Sequence, residues 1–491
     1  MKRQSYPPFC AGKKSKYDVT NTPMINVLVT AGSPAMVNQF VLMGREMVSR
    51  GITIHIVATR KNSWDFLKKT GWEHGHFLES KKTGDDSENN LRKYMEKYNN
   101  PTIAEMIKSE EALIGWSETE KLNLLTSFLD FYEEYYDAKN VNIVMKYPTA
   151  SMAGRAAYAV AKRKNISTFI INTGPLIRES FTFNDIDEGW LWSEFFKQYE
   201  NGNVIVNENN RKFVDESVSE IIKSKKLSLK VKQTSPLKFG YLFLKFLGTI
   251  FKSHIDYIEV NELKKEFMMF LDYFYFWTRY HNIEKGKPYI FFPLHIPWDA
   301  QIATRNPMFY SQAALVEMLA RSCPPGVDLY VKEHPYYHGL CNRKMRRELK
   351  KIRSVKFLDP SISSLDAIKH SSLVVTINST AGFETIINKK PLVVLGNPFY
   401  AYYKHAYKIE NLNELPRVVN EALCLGNEIY SDSDEWYKFM YSALNSSKKG
   451  PMLLYKKYMG FEEELNKKVM AELSDELEKK IRSSLTAKRI N

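Results

Sequence analysis

Lys332-Glu333-His334-Pro335 and Asn378-Ser379-Thr380 are the stretches whose residue types could do chemistry together. Each closes an apolar run with strand character, 329–332 in the first and 373–377 in the second, and the second opens into a helical pattern over 381–388. Pro335 stops the strand and fixes the backbone, which aims His334 outward at the strand's carboxyl end. One cation (Lys332), one imidazole and hydroxyl or amide donors at a helix N-terminus make a sensible cradle for a phosphate. Ser379 and Thr380 read equally as a helix N-cap, and both roles are compatible, because capping leaves neighbouring amides for an anion. Glu384, four positions beyond Thr380 on nearly the same helix face, either accepts from ribose hydroxyls or is a solvated surface acid.

A second group is acidic. Asp185, Asp187 and Glu188 precede Gly189 and Trp190 within the polar stretch 178–190. A carboxylate there would deprotonate an acceptor hydroxyl as general base, and repulsion among the acids would raise one pKa to suit. The plainer reading is a solvated acidic turn. His295, Asp299 and Gln301, within PLHIPWDAQI, follow the first strand of a second α/β pattern. They line a sugar pocket, orient the base, or build a polar interdomain turn.

These residues need a wound sheet to position them. The spacing predicts strands over 25–30, 52–58, 141–145 and 167–171, alternating with helices over 37–48, 103–139 and 151–163, which is the order of a doubly wound half. The strand 167–171 ends at Asn172-Thr173-Gly174-Pro175, a junction on the ligand side. Gly32 is a lone turn glycine and makes no dinucleotide fingerprint. Residues 62–100 read as a loop with a short helix, and 254–280 as an aromatic helical bridge. The second half predicts strands over 289–294, 328–332, 354–358, 373–377 and 391–395, with helices over 311–321, 343–352, 362–369 and 381–388 between them. The expected architecture is therefore α/β, with two Rossmann-like domains facing across a cleft. The expected layout is a basic tail over 1–23, an acceptor domain over 24–210, a basic and aromatic bridge over 211–286, a nucleotide-sugar domain over 287–410 and C-terminal helices over 411–491.

Composition bounds the function. The chain has 491 residues, 44% of them hydrophobic, and a formal charge of +14 from 70 Lys and Arg against 56 Asp and Glu, so an anionic partner is expected. Its four cysteines are scattered with no metal-ligand spacing, which favours a reducing compartment and no metal site. The first residues carry charge without an apolar core, and no run of about 18 apolar residues occurs, so neither a secretory signal nor a membrane span is expected. Residues 221–254 hold eight lysines and no Asp or Glu, and 237–251 is aromatic and apolar. That segment reads as an interfacial helix at a membrane surface or as a core helix with a solvated lysine face. Nucleic acid is not an expected partner, since the basic run forms no recognised module.

The order of DEG (Asp187 to Gly189), KEHP (Lys332 to Pro335) and NST (Asn378 to Thr380) resembles the bacterial capsule polysaccharide biosynthesis family, which includes Kdo transferases using CMP-Kdo. The same motif order is similar to that of GT-B sialyl- and polysialyltransferases using CMP-sialic acid. The likeness covers about 289–400 best. The family's stretch corresponding to PLHIPWDAQI usually carries Gln where this chain has His295. What the resemblance implies is a metal-independent GT-B glycosyltransferase of capsule or lipopolysaccharide type. Its donor would be a CMP-activated acidic sugar and its acceptor a glycan or glycolipid, with no further cofactor. Lys332, His334, Pro335, Asn378, Ser379 and Thr380 would hold the donor, Glu384 would lie near the nucleoside, and Asp187 or Glu188 would be the base. The expected location is the cytoplasm, with possible peripheral contact at the inner membrane face. The alternatives are a CDP-polyol phosphotransferase of teichoic-acid type and a non-catalytic glycan- or membrane-binding protein.

Overall fold

The computed structural model describes residues 24–79, 93–98, 106–107, 116–147, 151–174, 180–184, 193–200, 204–228, 281–297, 299–334, 343–349, 351–430, 432–449 and 463–490, with isolated positions between 244 and 280. Pro335, Asp185, Asp187 and Glu188 lie outside the described residues, as do the basic tail 1–23 and most of 221–254. Among the described residues, no helix is long and apolar enough to cross a membrane.

The first half begins with β1 (Ile25–Ala31), α1 (Pro34–Val48), β2 (Ile52–Ala58), α2 (Lys61–Lys69) and β3 (Gly75–Phe77). It continues with α3 (Glu118–Ala138), β4 (Val141–Lys146), α4 (Met152–Arg163), β5 (Ser167–Thr173) and β6 (Ser180–Asn184). Every residue of β2 is buried, as a strand covered on both faces requires. Local signals set the helix starts. Ser33 caps α1 through the Met36 amide ahead of Pro34, and Ser117 with Glu120 forms a reciprocal capping box on α3.

Two helices, α5 (Ser193–Tyr199) and α6 (Glu208–Ser228), then lead to the second half. There β7 (Tyr289–Pro293), α7 (Ala300–Ala303), α8 (Gln312–Ser322), β8 (Asp328–Lys332), α9 (Arg343–Leu349) and β9 (Val355–Phe357) come first. They are followed by α10 (Ser364–His370), β10 (Leu373–Thr376), α11 (Thr380–Ile387), β11 (Leu392–Val394) and β12 (Tyr407–Lys408). The remaining elements are α12 (Leu415–Leu425), α13 (Ser433–Asn445), β13 (Lys448–Lys449) and α14 (Glu463–Ile490).

The second sheet runs β12-β11-β10-β7-β8-β9, parallel throughout. In chain order this is the 3-2-1-4-5-6 pattern of a doubly wound nucleotide-binding fold, with its switch point between β7 and β10. The first sheet runs β13-β6-β5-β4-β1-β2-β3 and is parallel except at β6 and β13, which pair antiparallel. Arg305, beyond the carboxyl end of β7, donates from Nη2 to Asn172 Oδ1 near the carboxyl end of β5 at 3.3 Å, so the carboxyl edges of the two sheets meet there. This is the GT-B arrangement of two α/β units.

Three features differ from the sequence reading. The stretch 178–190 contains β6, whose Phe181 and Phe183 pack edge to face, so part of the expected polar loop is a strand paired on one side with β5 and on the other with β13. β3 lies inside the segment read as a loop. The expected border at 210/211 falls within α6, because Phe195, Tyr199, Val214 and Ile221 bury against Phe399, Tyr403 and Phe439 of the second core. The chain also returns. Leu473, Leu477 and Ile481 of α14 are buried in the first core with Val37, Phe40 and Met43 of α1, and Arg50 pairs with Asp475 at 2.5 Å and Glu478 at 3.1 Å.

Because Leu477 is fully buried in a core made chiefly by residues far away in sequence, Leu477→Ala is expected to destabilise the first unit by about 2–5 kcal/mol. A thermal melt of the full chain reads this as a lowered first transition.

Candidate functional site

At the switch point, the loop after β7 and the loop after β10 are tied by one imidazole. His295 is 7% exposed, and its Nε2 accepts the Asn378 backbone N–H at 3.1 Å. Gln312, at the start of α8, clamps the same residue: its Oε1 accepts from His295 N–H at 2.7 Å and its Nε2 donates to the His295 carbonyl at 2.8 Å. Accepting through Nε2 requires a neutral ring. Burial, reinforced by the neighbouring charge of His334, pushes the His295 pKa down to about 3.

The loop after β10 is built from short polar bonds. Ser379 N–H donates to Thr376 Oγ1 at 3.2 Å, and Ser379 Oγ accepts from Ala381 N–H at 3.2 Å, which caps α11. Thr380 is the first residue of α11, where helix geometry leaves its N–H without an intrahelical acceptor, as an anion site at a helix start requires. Tyr400 OH donates to the Ser379 carbonyl at 2.5 Å from beneath the helix start. Gly382 permits that contact, since a Cβ there would come within 2.3 Å of the Tyr400 ring. Gly396 has a related reason: its Cβ would meet the Ile377 carbonyl at 2.6 Å and Asn306 Oδ1 at 2.7 Å.

The loop after β7 supplies the other wall. Asp299 caps α7 by accepting from Gln301 N–H at 2.9 Å. It keeps solvent access yet is walled by protein, and the lost hydration pushes its carboxyl above the usual range, against the pull of the Gln301 amide and the Arg305 charge. Gln301 Oε1 accepts from Asn378 Nδ2 at 2.6 Å and from Arg305 Nη1 at 3.1 Å. His295, Gln301, Asn378 and Ser379 therefore converge, and His334, at the end of the adjacent strand β8, stands close enough to act on the His295 ring.

Two expected donor residues are turned elsewhere. Lys332 is 2% exposed, and its Nζ donates to the carbonyls of Glu333 and Pro360, each at 3.3 Å. Burial lowers its pKa to about 8, while Glu333, Asp359 and Glu384 counteract the shift. It braces the loop from behind. Glu384 is neither solvated nor open to a ribose: it is 6% exposed and accepts from Thr380 Oγ1 at 3.3 Å. Glu333 also points inward, accepting from Tyr280 OH at 2.7 Å beside Arg346 at 3.6 Å. A cleft of about 240 Å³ lies beside Leu294 and Gln312 and is also lined by Tyr310, Lys344, Met345 and Glu348. That volume is below the roughly 300–1,000 Å³ of whole-ligand sites, so it accommodates only part of one.

Sequence reasoning missed Gln312, Tyr400, Arg305 and the role of Asn172. Only Asn172 carried a signal, its place at a strand-to-loop junction.

A group whose folded pKa lies below its unfolded value contributes stability that is present above the unfolded pKa and lost as pH falls toward the folded one. For His295 the window runs from about 6.5 down to about 3. Melting temperature is expected to fall through that window, and His295→Gln is expected to fall less, because an amide oxygen accepts the Asn378 N–H without titrating.

The capsule polysaccharide biosynthesis protein family model matches residues 275–404, the stretch that holds β7 to β11 and the site just described. The capsule polysaccharide export protein KpsS of Escherichia coli is 30% identical over 128 residues, covering 24% of this chain and 32% of its own length. Protein FixF of Sinorhizobium fredii (strain NBRC 101917 / NGR234) is 25% identical over 124 residues, covering 25% of this chain and 30% of its own. The chain thus spans about a third of the length of these curated relatives. Among solved structures, Thermosulfurimonas dismutans KpsC, a beta Kdo 2,4 transferase, is 14% identical over 57% of this chain and 79% of its own, with a TM-score of 0.34, a likeness too loose to carry functional weight. The segment 275–404 that builds the switch-point site is thus similar to the capsule polysaccharide biosynthesis family.

Proposed function

We propose that the protein is a capsule-type glycosyltransferase that moves a sugar from a nucleotide-activated donor, a CMP-linked acidic sugar, to a glycan or glycolipid acceptor. The observation that carries this reading is the convergence of His295, Asn378, Ser379 and the Thr380 amide at the switch point of a 3-2-1-4-5-6 sheet. Open α/β sheets bind nucleotides at such a point, and amides at a helix N-terminus favour a phosphate.

In the proposed reaction the acceptor hydroxyl attacks the anomeric carbon and the bond from that carbon to the phosphate oxygen breaks. The hydroxyl proton passes to a carboxylate, Asp187 or Glu188, and the nucleotide leaves with the bonding pair. His334 and the amides at the start of α11 stabilise the charge that develops on the leaving phosphate. The preorganised loop contributes by holding those donors in place before the charge appears. The basic stretch 221–254 suits attachment at the cytoplasmic face of an anionic membrane, where a lipid-linked acceptor would be presented.

Isothermal titration with CMP, CDP, UDP and GDP is expected to rank CMP tightest; tighter binding of another nucleotide would reject the donor assignment. His334→Ala is expected to cut kcat by about 100-fold or more while leaving the melting temperature within a degree or two of wild type. Near-normal turnover by that variant would remove His334 from the site. Asp187→Asn and Glu188→Gln, assayed separately, identify the base as the one whose loss abolishes transfer without weakening nucleotide binding.

A further inference from the structure

Between the two units runs a relay of side chains that the reaction above does not use. Asn378 Nδ2 donates to Gln301 Oε1, Arg305 Nη1 donates to the same oxygen, and Arg305 Nη2 donates to Asn172 Oδ1 of the first sheet. The relay is held from behind. Arg305 N–H donates to the Ala300 carbonyl at 3.1 Å, and Asn306 Nδ2 donates to the Gln301 carbonyl at 2.7 Å, with Asn306 Oδ1 lodged in the space that glycine leaves at position 396. The guanidinium is thus fixed at the meeting of the two carboxyl edges, near enough to Asp299 for its charge to offset part of the rise that burial gives that carboxyl's pKa.

Both ends of the relay hold buried polar atoms without partners. Asn378 and Asn172 are each 1% exposed, and among the described residues neither Asn378 Oδ1 nor Asn172 Nδ2 has a hydrogen-bond partner. A buried amide group left unsatisfied costs stability, and native structures rarely keep one without a ligand, water or function to account for it. Here an orphan donor flanks a fixed guanidinium on one side, and an orphan acceptor lies one side chain away on the other.

We infer that Asn172, Arg305 and Asn378 form an oxyanion-binding station contributed by both units. The Arg305 fork and Asn172 Nδ2 receive an anionic group of the donor, and Asn378 Oδ1 accepts from a hydroxyl or amine of the same ligand. A guanidinium matches a carboxylate or phosphate through paired N–H donors, which a point charge cannot do, and Lys332 is already turned to backbone carbonyls. The inference rests on the nucleotide-sugar reading proposed above. It adds that the first unit takes part in donor binding through Asn172, so the two units close on the same ligand.

The test is titration calorimetry of the full chain, wild type, Arg305→Gln and Asn172→Asp, against cytidine, CMP and CMP-Kdo. Asn172→Asp keeps an acceptor for Arg305 and therefore guards against a folding defect, yet it places a negative charge where the anion would sit. If the anion is the phosphate, both variants weaken CMP and CMP-Kdo by about tenfold or more and leave cytidine within about twofold. If it is the sugar carboxylate, only CMP-Kdo weakens. Equal losses for cytidine and CMP, or no loss for any probe while wild type binds, overturn the station alone. Failure of the wild type to bind CMP, CDP, UDP or GDP overturns the nucleotide reading and the station with it.

Discussion

A single imidazole that must stay neutral fixes the geometry on which the site depends. In a parallel sheet the loops at the carboxyl edge are joined to different helices, and nothing in the ladder sets their separation. His295 sets it by accepting the Asn378 amide, while Gln312 grips the backbone of His295 from the other side. Asp299, Gln301 and Arg305 then stand at a defined distance from the start of α11. The requirement is for a buried acceptor and not for a basic group. A glutamine at this position would satisfy it with an amide oxygen.

The charged residues around this point divide the work. Lys332, Glu333 and Arg346 are 2%, 2% and 5% exposed, and they serve one another and the backbone. The Arg346 guanidinium also stacks over Tyr280 at 4.3 Å and Phe357 at 4.5 Å, so it lies between two rings and one carboxylate. Buried ionic groups of this kind add little net stability, but removing one partner leaves the other uncompensated, which makes the arrangement selective for one geometry. The end of β8, which leads into His334, is thereby held from behind.

Much of the fold was legible because its strands are buried on both faces and read as continuous apolar runs. The runs 52–58 and 328–332 match β2 and β8 residue for residue. β6 was not legible: SFTFN is short and half polar, and its neighbours β5 and β13 give it more direction than its own composition. For the site, the strand ends were legible and the side-chain directions were not. His295, Gln301, Asn378 and Ser379 meet as their positions imply. Lys332 turns to carbonyls because Pro360 passes behind β8, a fact no local pattern contains. Arg305 and Asn172 are 133 residues apart, so neither stretch could signal the other.

The return of α14 to the first unit has a consequence for how the chain is made. Ribosomal synthesis completes β1 to β5 early, but the hydrophobic surface of α1 finds Leu473, Leu477 and Ile481 only after the whole second unit has emerged. During that interval the nascent first unit carries an uncovered apolar strip and invites chaperone capture or misassociation. The ion pairs of Arg50 with Asp475 and Glu478 then align the late helix along α1.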